Sequence, residues 1–390
     1  MPARLLKPRC SSASPDLCPS LKRKYTVKLD FQKLMLDATH LTRSGNLQAA
    51  TAAIQAALAG VAPTATGITV PTKTTAIGKV FDVIDVSARE VSDDVVRSPS
   101  TPYVHQTPEA GRFIAGSHGS ASGQRHFKLY IPPNAGERAL PLVVMLHGCT
   151  QHPDDFAAGT DMNTLAGAQG FYVLYPEQSQ AANPQRCWNW FKHSHQARGR
   201  GEPALLSGMT REMMATYLID PDRVYVAGLS AGGAMAAILG DVYPDLYAAV
   251  GVHSGLATGI ATDLPSALGV MQSGASPVRT GISGVATIVF HGDADTTVHP
   301  GNGAQVIAAS VGVAAQVETE QQKSPGGRST TRSVYRAPDG TVVAEYWLVH
   351  GAPHAWSGGS TEGSYTDARG PNASAEMLRF FLEHPRQRAH

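Results

Sequence analysis

The sequence predicts an α/β protein: a mostly parallel central sheet with helices on both faces, preceded by a small helical and irregular N-terminal extension. Two observations predict it. Short continuous apolar runs, such as residues 141–147 and 286–290, alternate with helical stretches through residues 111–390. Such runs mark strands buried on both faces, and the alternation marks a parallel sheet. One strand, residues 223–227, also passes through Gly228-Leu229-Ser230-Ala231-Gly232 straight into a helix rich in Ala and Met.

The first thirty residues are basic (Arg4, Lys7, Arg9, Lys22, Arg23, Lys24) and hold no apolar stretch of the kind a secretory signal needs; Asp16 and the prolines weigh against a transit peptide, so they read as a disordered leader or an over-extended start. From 31 to 58, Leu34, Ala38 and Leu41, then Leu47, Ala50, Ile54 and Leu58, recur every three or four positions around the break Ser44-Gly45-Asn46. That pattern predicts a helical hairpin. The following stretch to about 110 is rich in Thr, Val, Pro and Asp without a period and reads as a linker, with one strand expected at 79–86. The chain therefore divides into an extension, 1–110, and a main domain, 111–390.

In the main domain, residues 125–131 alternate between Gly123 and Pro132-Pro133 and predict a strand, followed by the buried strand 141–147. A helix at 155–168 leads to a strand at 171–175, and a helix at 204–218 leads to the strand 223–227. The helix after Gly232 is followed by strands at 248–253 and 286–290, and then by a helix at 304–311. Strands at 333–336 and 342–349 flank the turn Pro338-Asp339-Gly340, and a helix at 374–382 closes the domain.

Composition removes several function classes. Lys+Arg 32 against Asp+Glu 31 gives a net charge of +1, without the basic excess that phosphate neutralisation requires, so no nucleic-acid partner is expected. Apolar runs such as 142–146 fall far short of the ~20 residues of a membrane helix. Hydrophobic residues make up 42% of the chain, enough for a large core, and Gly 39 with Pro 26 predicts many loops. Of the four cysteines, Cys10 and Cys18 lack a zinc spacing and no histidine pair follows at finger distance, so no metal is expected.

The chemistry starts at Ser230. Its G-x-S-x-G pentapeptide is weak alone but specific between a buried strand and a helix, where small flanking residues let a serine sit exposed on a strained turn as a nucleophile. A serine hydroxyl needs a base and the base an orienting acid, which follow in chain order in this architecture. The strand 286–290 runs into His291-Gly292-Asp293-Ala294-Asp295, where Asp293 and Asp295 compete; Asp295 is favoured, with Asp293 as a turn residue or helper. The strand 342–349 runs into His350-Gly351-Ala352-Pro353-His354. His354 lies on the loop beyond the strand beside small residues and is the expected base, whereas His350 at the strand terminus reads as structural. Oxyanion donors are expected from the backbone of Ala231 and, through the turn at Gly148, from the backbone of Cys149.

With these residues in place the chain resembles the polyhydroxybutyrate depolymerase family of esterases, within the α/β-hydrolases. The resemblance spans roughly residues 119–383 and is carried by Leu146-His147-Gly148-Cys149-Thr150-Gln151, Cys187-Trp188-Asn189-Trp190-Phe191, Gly228 to Met235, residues 292–298 and His354-Ala355-Trp356-Ser357-Gly358-Gly359. It implies Ser230, Asp295 and His354 as a triad, Cys149 and Ala231 as oxyanion donors, and a disulfide between Cys149 and Cys187 clamping the oxyanion loop to the Trp-rich loop. Many members are secreted behind a signal peptide. This chain shows none and looks more like an intracellular branch acting on storage granules or soluble oligomers, whose N-terminal extension the 31–58 hairpin resembles. No linker and polymer-binding domain of the kind secreted members carry is apparent at the C-terminal end.

The expected reaction is ester hydrolysis through an acyl-enzyme, without metal or cofactor, on a polyester or oligoester of short 3-hydroxyacids. Trp188, Trp190 and Trp356 are candidates to line an apolar cleft. The rivals are a feruloyl or acetyl-xylan esterase, a serine peptidase of the same fold, and a catalytically idle granule-binding protein.

Overall fold

The computed structural model describes residues 111–120, 123–274, 284–311 and 316–387. The hairpin expected at 31–58 and the strand expected at 79–86 lie outside them. The order of elements is β1 (Arg112–Ser120), β2 (Gly123–Ile131), β3 (Leu140–Leu146), α1 (Pro153–Thr160), α2 (Met162–Gln169), β4 (Tyr172–Pro176), α3 (Gly201–Thr216), β5 (Ile219–Leu229) and α4 (Ala231–Val242). It continues with β6 (Ala249–His253), α5 (Leu264–Ser273), β7 (Ala286–Gly292), α6 (Gly301–Val311), β8 (Gln316–Lys323), β9 (Ser329–Arg336), β10 (Val342–Val349), the two-residue strands β11 (Trp356–Ser357) and β12 (Thr366–Asp367), and α7 (Ala373–Glu383).

Ten of these strands form one sheet in the order β1-β2-β4-β3-β5-β6-β7-β10-β9-β8. The central six, β4-β3-β5-β6-β7-β10, are parallel, and an antiparallel hairpin extends each side. From β3 the chain steps to β4 on one side and then returns to place β5 on the other. The loops leaving β3 and β5 therefore diverge across a gap at their carboxyl ends, the place where open α/β sheets build their sites.

The buried runs explain the central strands. All seven residues of β3 are buried. Leu142, Val144 and Leu146 enter a core shared with α3, α4 and α6, while Val143 and Met145 enter the opposite core with α1, α2 and α7. β5 behaves likewise, with Val224 and Val226 on one side and Tyr225, Ala227 and Leu229 on the other. Each such side chain contributes roughly 1.5–3 kcal/mol by leaving water. This is why these strands read as continuous apolar sequence and not as alternation. β2, nearer the edge, buries Phe127, Leu129 and Ile131 alone and does alternate.

Three departures from expectation have physical causes. The single helix expected at 155–168 is two, because Asp161 between them adopts a left-handed conformation (φ 52°). β1 and β8 were not expected. β1 buries only His118, and β8 is exposed at every residue, so neither carries an apolar period. α5 is set by a capping box in which Asp263 and Ser266 satisfy each other's backbone N–H groups, with Pro265 in the first turn.

Candidate active site

Ser230 lies between β5 and α4 in a backbone conformation (φ 57°, ψ −119°) that a non-glycine residue adopts only under strain. Two glycines make the turn possible. A Cβ on Gly228 would stand 2.4 Å from the Gly232 backbone, and one on Gly232 would stand 2.0 Å from the Leu146 carbonyl oxygen. The bend is held by the Ser230 N–H donating to the His253 carbonyl at the end of β6 (2.9 Å).

Asp295 and His354 leave the carboxyl ends of β7 and β10, neighbouring parallel strands. The His354 Nδ1–H donates to Asp295 Oδ2 at 2.7 Å. Asp295 Oδ1 accepts the backbone N–H groups of Thr297 and Val298, both at 2.8 Å. Burial pushes this carboxyl up, but the hydrogen bonds of His291 and His354 and the charge His354 can carry outweigh it and hold Asp295 well below the usual carboxylate range. Asp295 is therefore an anion that fixes the His354 tautomer, leaving Nε2 unprotonated in the neutral ring. Asp293 belongs to a different pair: Oδ2 accepts from His350 Nδ1 at 2.8 Å and Oδ1 from the Gly351 N–H at 2.6 Å. These contacts anchor the start of the loop that ends in His354.

The loop after β3 carries the candidate oxyanion donor. In residues 148–151 the Gly148 N–H donates to Gln151 Oε1 (2.9 Å), the Thr150 N–H to the Gln185 carbonyl (2.7 Å) and the Gln151 N–H to the Gly148 carbonyl (3.4 Å). Among the described residues the Cys149 N–H has no acceptor. The Gly148 carbonyl also accepts from His147 Nδ1 at 2.8 Å. Because C=O and N–H point oppositely across a trans peptide, fixing that carbonyl aims the Cys149 N–H the other way. The Ala231 N–H, at the first helical position, has no intrahelical acceptor either. A disulfide joins Cys149 to Cys187, as the resemblance implied.

The tryptophans need a correction. Trp188 and Trp356 are wholly buried and Trp190 nearly so, so they are core rather than cleft wall. Trp188 donates its indole N–H to the His147 carbonyl (3.1 Å), and Trp356 donates to Ser374 Oγ (3.0 Å) while packing edge-on against Phe156. Their large rings gain more from burial beneath the loops than from exposure beside them. Sequence reasoning missed His253. Its ring is stacked between Phe290 and Trp356, and Nε2 accepts the Ser357 N–H at 2.9 Å. Thus one residue ties the serine turn, through its carbonyl, to the segment following His354, through its ring. Burial, then the charges of His291 and His354, lowers its pKa to about 3, so the acceptor nitrogen stays unprotonated. The available signal was a histidine at the end of a buried strand.

Among the described residues no cluster of His, Cys, Asp and Glu is placed to hold a metal ion, and no helix is long and apolar enough to cross a membrane.

Comparison with known proteins places the chain in a family. The sequence model of the family described as esterase PHB depolymerase matches residues 125–328, just over half of the 390-residue chain. The chain belongs to that family. The match includes Cys149, Cys187, Ser230 and Asp295, while His354 lies beyond it. The chain is 32% identical over 243 residues to poly(3-hydroxyalkanoate) depolymerase C of Paucimonas lemoignei, covering 59% of this chain and 57% of that protein. It is 27% identical over 240 residues to acetylxylan esterase A of Talaromyces purpureogenus, covering 55% and 58% respectively. It thus spans a little over half the length of these relatives. Among solved structures, the acetyl xylan esterase from Aspergillus awamori superposes with a TM-score of 0.52 at 19% identity, over 69% of this chain and 99% of that one. The shared fold is that of the α/β-hydrolases.

Proposed function

We propose that this protein is a serine esterase that hydrolyses poly- or oligo(3-hydroxyalkanoates) such as poly(3-hydroxybutyrate), with Ser230 as nucleophile, His354 as base and Asp295 as orienting acid. The observation that carries the reading is the strained Ser230 turn at the carboxyl end of β5 together with the Asp295–His354 hydrogen bond at the carboxyl ends of β7 and β10 in the same parallel run of the sheet. In the first step Ser230 Oγ attacks the ester carbonyl while its proton passes to His354 Nε2. The oxyanion of the tetrahedral intermediate takes the N–H groups of Cys149 and Ala231. Collapse releases the alcohol, protonated by His354, and leaves an acyl-Ser230 ester. Water, deprotonated by His354, attacks that ester and frees the acid. No step calls on a metal or cofactor.

Polyester specificity draws support from family membership and the depolymerase relative. The acetylxylan esterase relative favours a second reading, a carbohydrate esterase with the same triad. A panel of amorphous poly(3-hydroxybutyrate), its soluble oligomers, acetylxylan and feruloyl esters separates them. The expected result is turnover of the 3-hydroxybutyrate substrates, lost by at least about a thousandfold in Ser230→Ala. Turnover of acetylxylan or feruloyl esters alone would move the substrate to the second reading. Unchanged turnover in Ser230→Ala would remove the mechanism, and binding to polymer without hydrolysis by either protein would mark a binding protein.

A further inference from the structure

The side chain of Glu202, in the first turn of α3, is 2% exposed, and none of its contacts belongs to the triad. An ionised carboxylate withdrawn from water is costly unless its oxygens are hydrogen-bonded. Here they are. Oε1 accepts from Gln178 Nε2 and from Asn189 Nδ2 (2.8 Å), and Oε2 accepts the Asn189 backbone N–H (2.7 Å). Arg125 and His195 stand 3.6 and 3.4 Å away. Burial pushes the carboxyl up, but the neighbouring His195, Gln178 and Asn189 outweigh it and hold Glu202 below the usual range.

These partners lead to the oxyanion loop. Gln178 follows β4; its side chain also donates to the Cys187 carbonyl (3.0 Å), and its backbone N–H donates to His147 Nε2 (3.1 Å). An Nε2 that accepts places the proton of the neutral ring on Nδ1. Nδ1 is the atom that donates to the Gly148 carbonyl and so aims the Cys149 N–H. Burial first, partly offset by the Gly148 hydrogen bond, lowers the pKa of His147 to about 4, which keeps the ring in that neutral, one-donor, one-acceptor form.

We propose that Glu202 is a positioning residue for the oxyanion hole, acting through Gln178 and His147 to set the direction of the Cys149 N–H. The proposal rests on the reading of that N–H as an oxyanion donor. The loops at Cys149 and Cys187 are thus held twice, once by the disulfide and once by a polar relay that no reductant breaks.

The test compares Glu202→Gln with the unaltered protein on a soluble butyrate ester, using a trifluoromethyl ketone as a tetrahedral-adduct inhibitor. Gln is close in shape, but its amide nitrogen must face one of the donors that Glu202 satisfies. The expected result is a fall in kcat of about tenfold or more, KM within about twofold, and inhibitor affinity weakened by about the same factor as kcat/KM. The acid limb of the kcat/KM profile should not move, because the Asp295–His354 pair is untouched. Reduction of the disulfide should cost more in the variant than in the unaltered protein, since each tie partly substitutes for the other. Gln178→Met, which keeps the backbone N–H to His147, should show the same pattern in weaker form and decides the matter if Glu202→Gln does not fold. Unaltered kcat and inhibitor affinity in a folded variant overturn the proposal, as do losses of kcat and KM that merely track unfolding temperature. Ser230→Ala runs alongside: an active Ser230→Ala sinks the parent mechanism, whereas an inactive one beside a fully active Glu202→Gln sinks this proposal alone.

Discussion

Replacing Asp295 by Asn removes one charge, and the structure fixes what the amide must then do. Oδ1 receives two backbone N–H groups, from Thr297 and Val298 at 2.8 Å each. The Asn oxygen has to stay there, because a flipped amide would point its own hydrogens at two donors. The NH2 group is then forced toward His354 Nδ1, which lies 2.7 Å from Oδ2 in the native pair. To avoid two donors facing each other, His354 must accept at Nδ1 and carry its proton on Nε2, the wrong tautomer for a base. The comparable change in a serine protease triad lowers kcat by about 10⁴. The same factor, about 5 kcal/mol of barrier, is expected here. The Asp293–His350 pair, with side chains 38% and 37% exposed, is worth about 1 kcal/mol or less after solvent screening, so Asp293→Asn should cost under about tenfold. The assay is kcat and KM for a soluble butyrate ester, with the unfolding midpoint measured on each variant. An Asp295→Asn protein that stays folded and keeps more than about a tenth of the activity refutes the reasoning, as does a larger loss in Asp293→Asn.

Other outcomes follow from the same contacts. His147 and His253 are neutral in the fold, with pKa values lowered to about 4 and about 3, and bind protons when unfolded once the pH drops below the ordinary imidazole range. Stability should therefore fall from about pH 7 to about pH 5 by roughly 2 kcal/mol per ring, read from urea midpoints; a flat profile would contradict it. Gly232→Ala should prevent folding or activity, because the new Cβ meets the Leu146 and His147 carbonyl oxygens at 2.0 and 2.6 Å. Gly269→Ala in α5, where a Cβ meets nothing within 4 Å, should stabilise by about 0.5–1 kcal/mol. Trp356→Ala should cost about 3–5 kcal/mol in stability, as for a core aromatic; a large rise in KM with unaltered stability would restore it to the cleft.

What could be read from the sequence was what depends on local pattern. β3 and β7 were legible because burial on both faces leaves little but apolar side chains. The Ser230 turn was legible because its small neighbours are a steric necessity, and the pairing of His354 with Asp295 because the loops after two neighbouring parallel strands leave the same end of the sheet. β1 and β8 were not, since a strand whose side chains stay in water needs no apolar period. Nor was the relay from Glu202 to His147. Its members are spaced along the chain without a motif, and only the packing of α3 against the loops after β3 and β4 brings them together. The tryptophans misled because closeness in sequence to catalytic segments does not say which way a ring points.

The solvated β8 strand bears on how copies of this protein meet. An open sheet ends in a row of backbone groups able to template a strand from another molecule. Here that row is flanked by Glu318, Glu320 and Lys323 on a strand wet on both faces, and Arg336 and Arg332 on β9 lie beside the two carboxylates. A second β8 laid along it would have to dehydrate these charges and would bury almost no apolar surface in return. Copies of this protein crowded together would therefore remain separate along this edge, and growth into a fibre would find no foothold there.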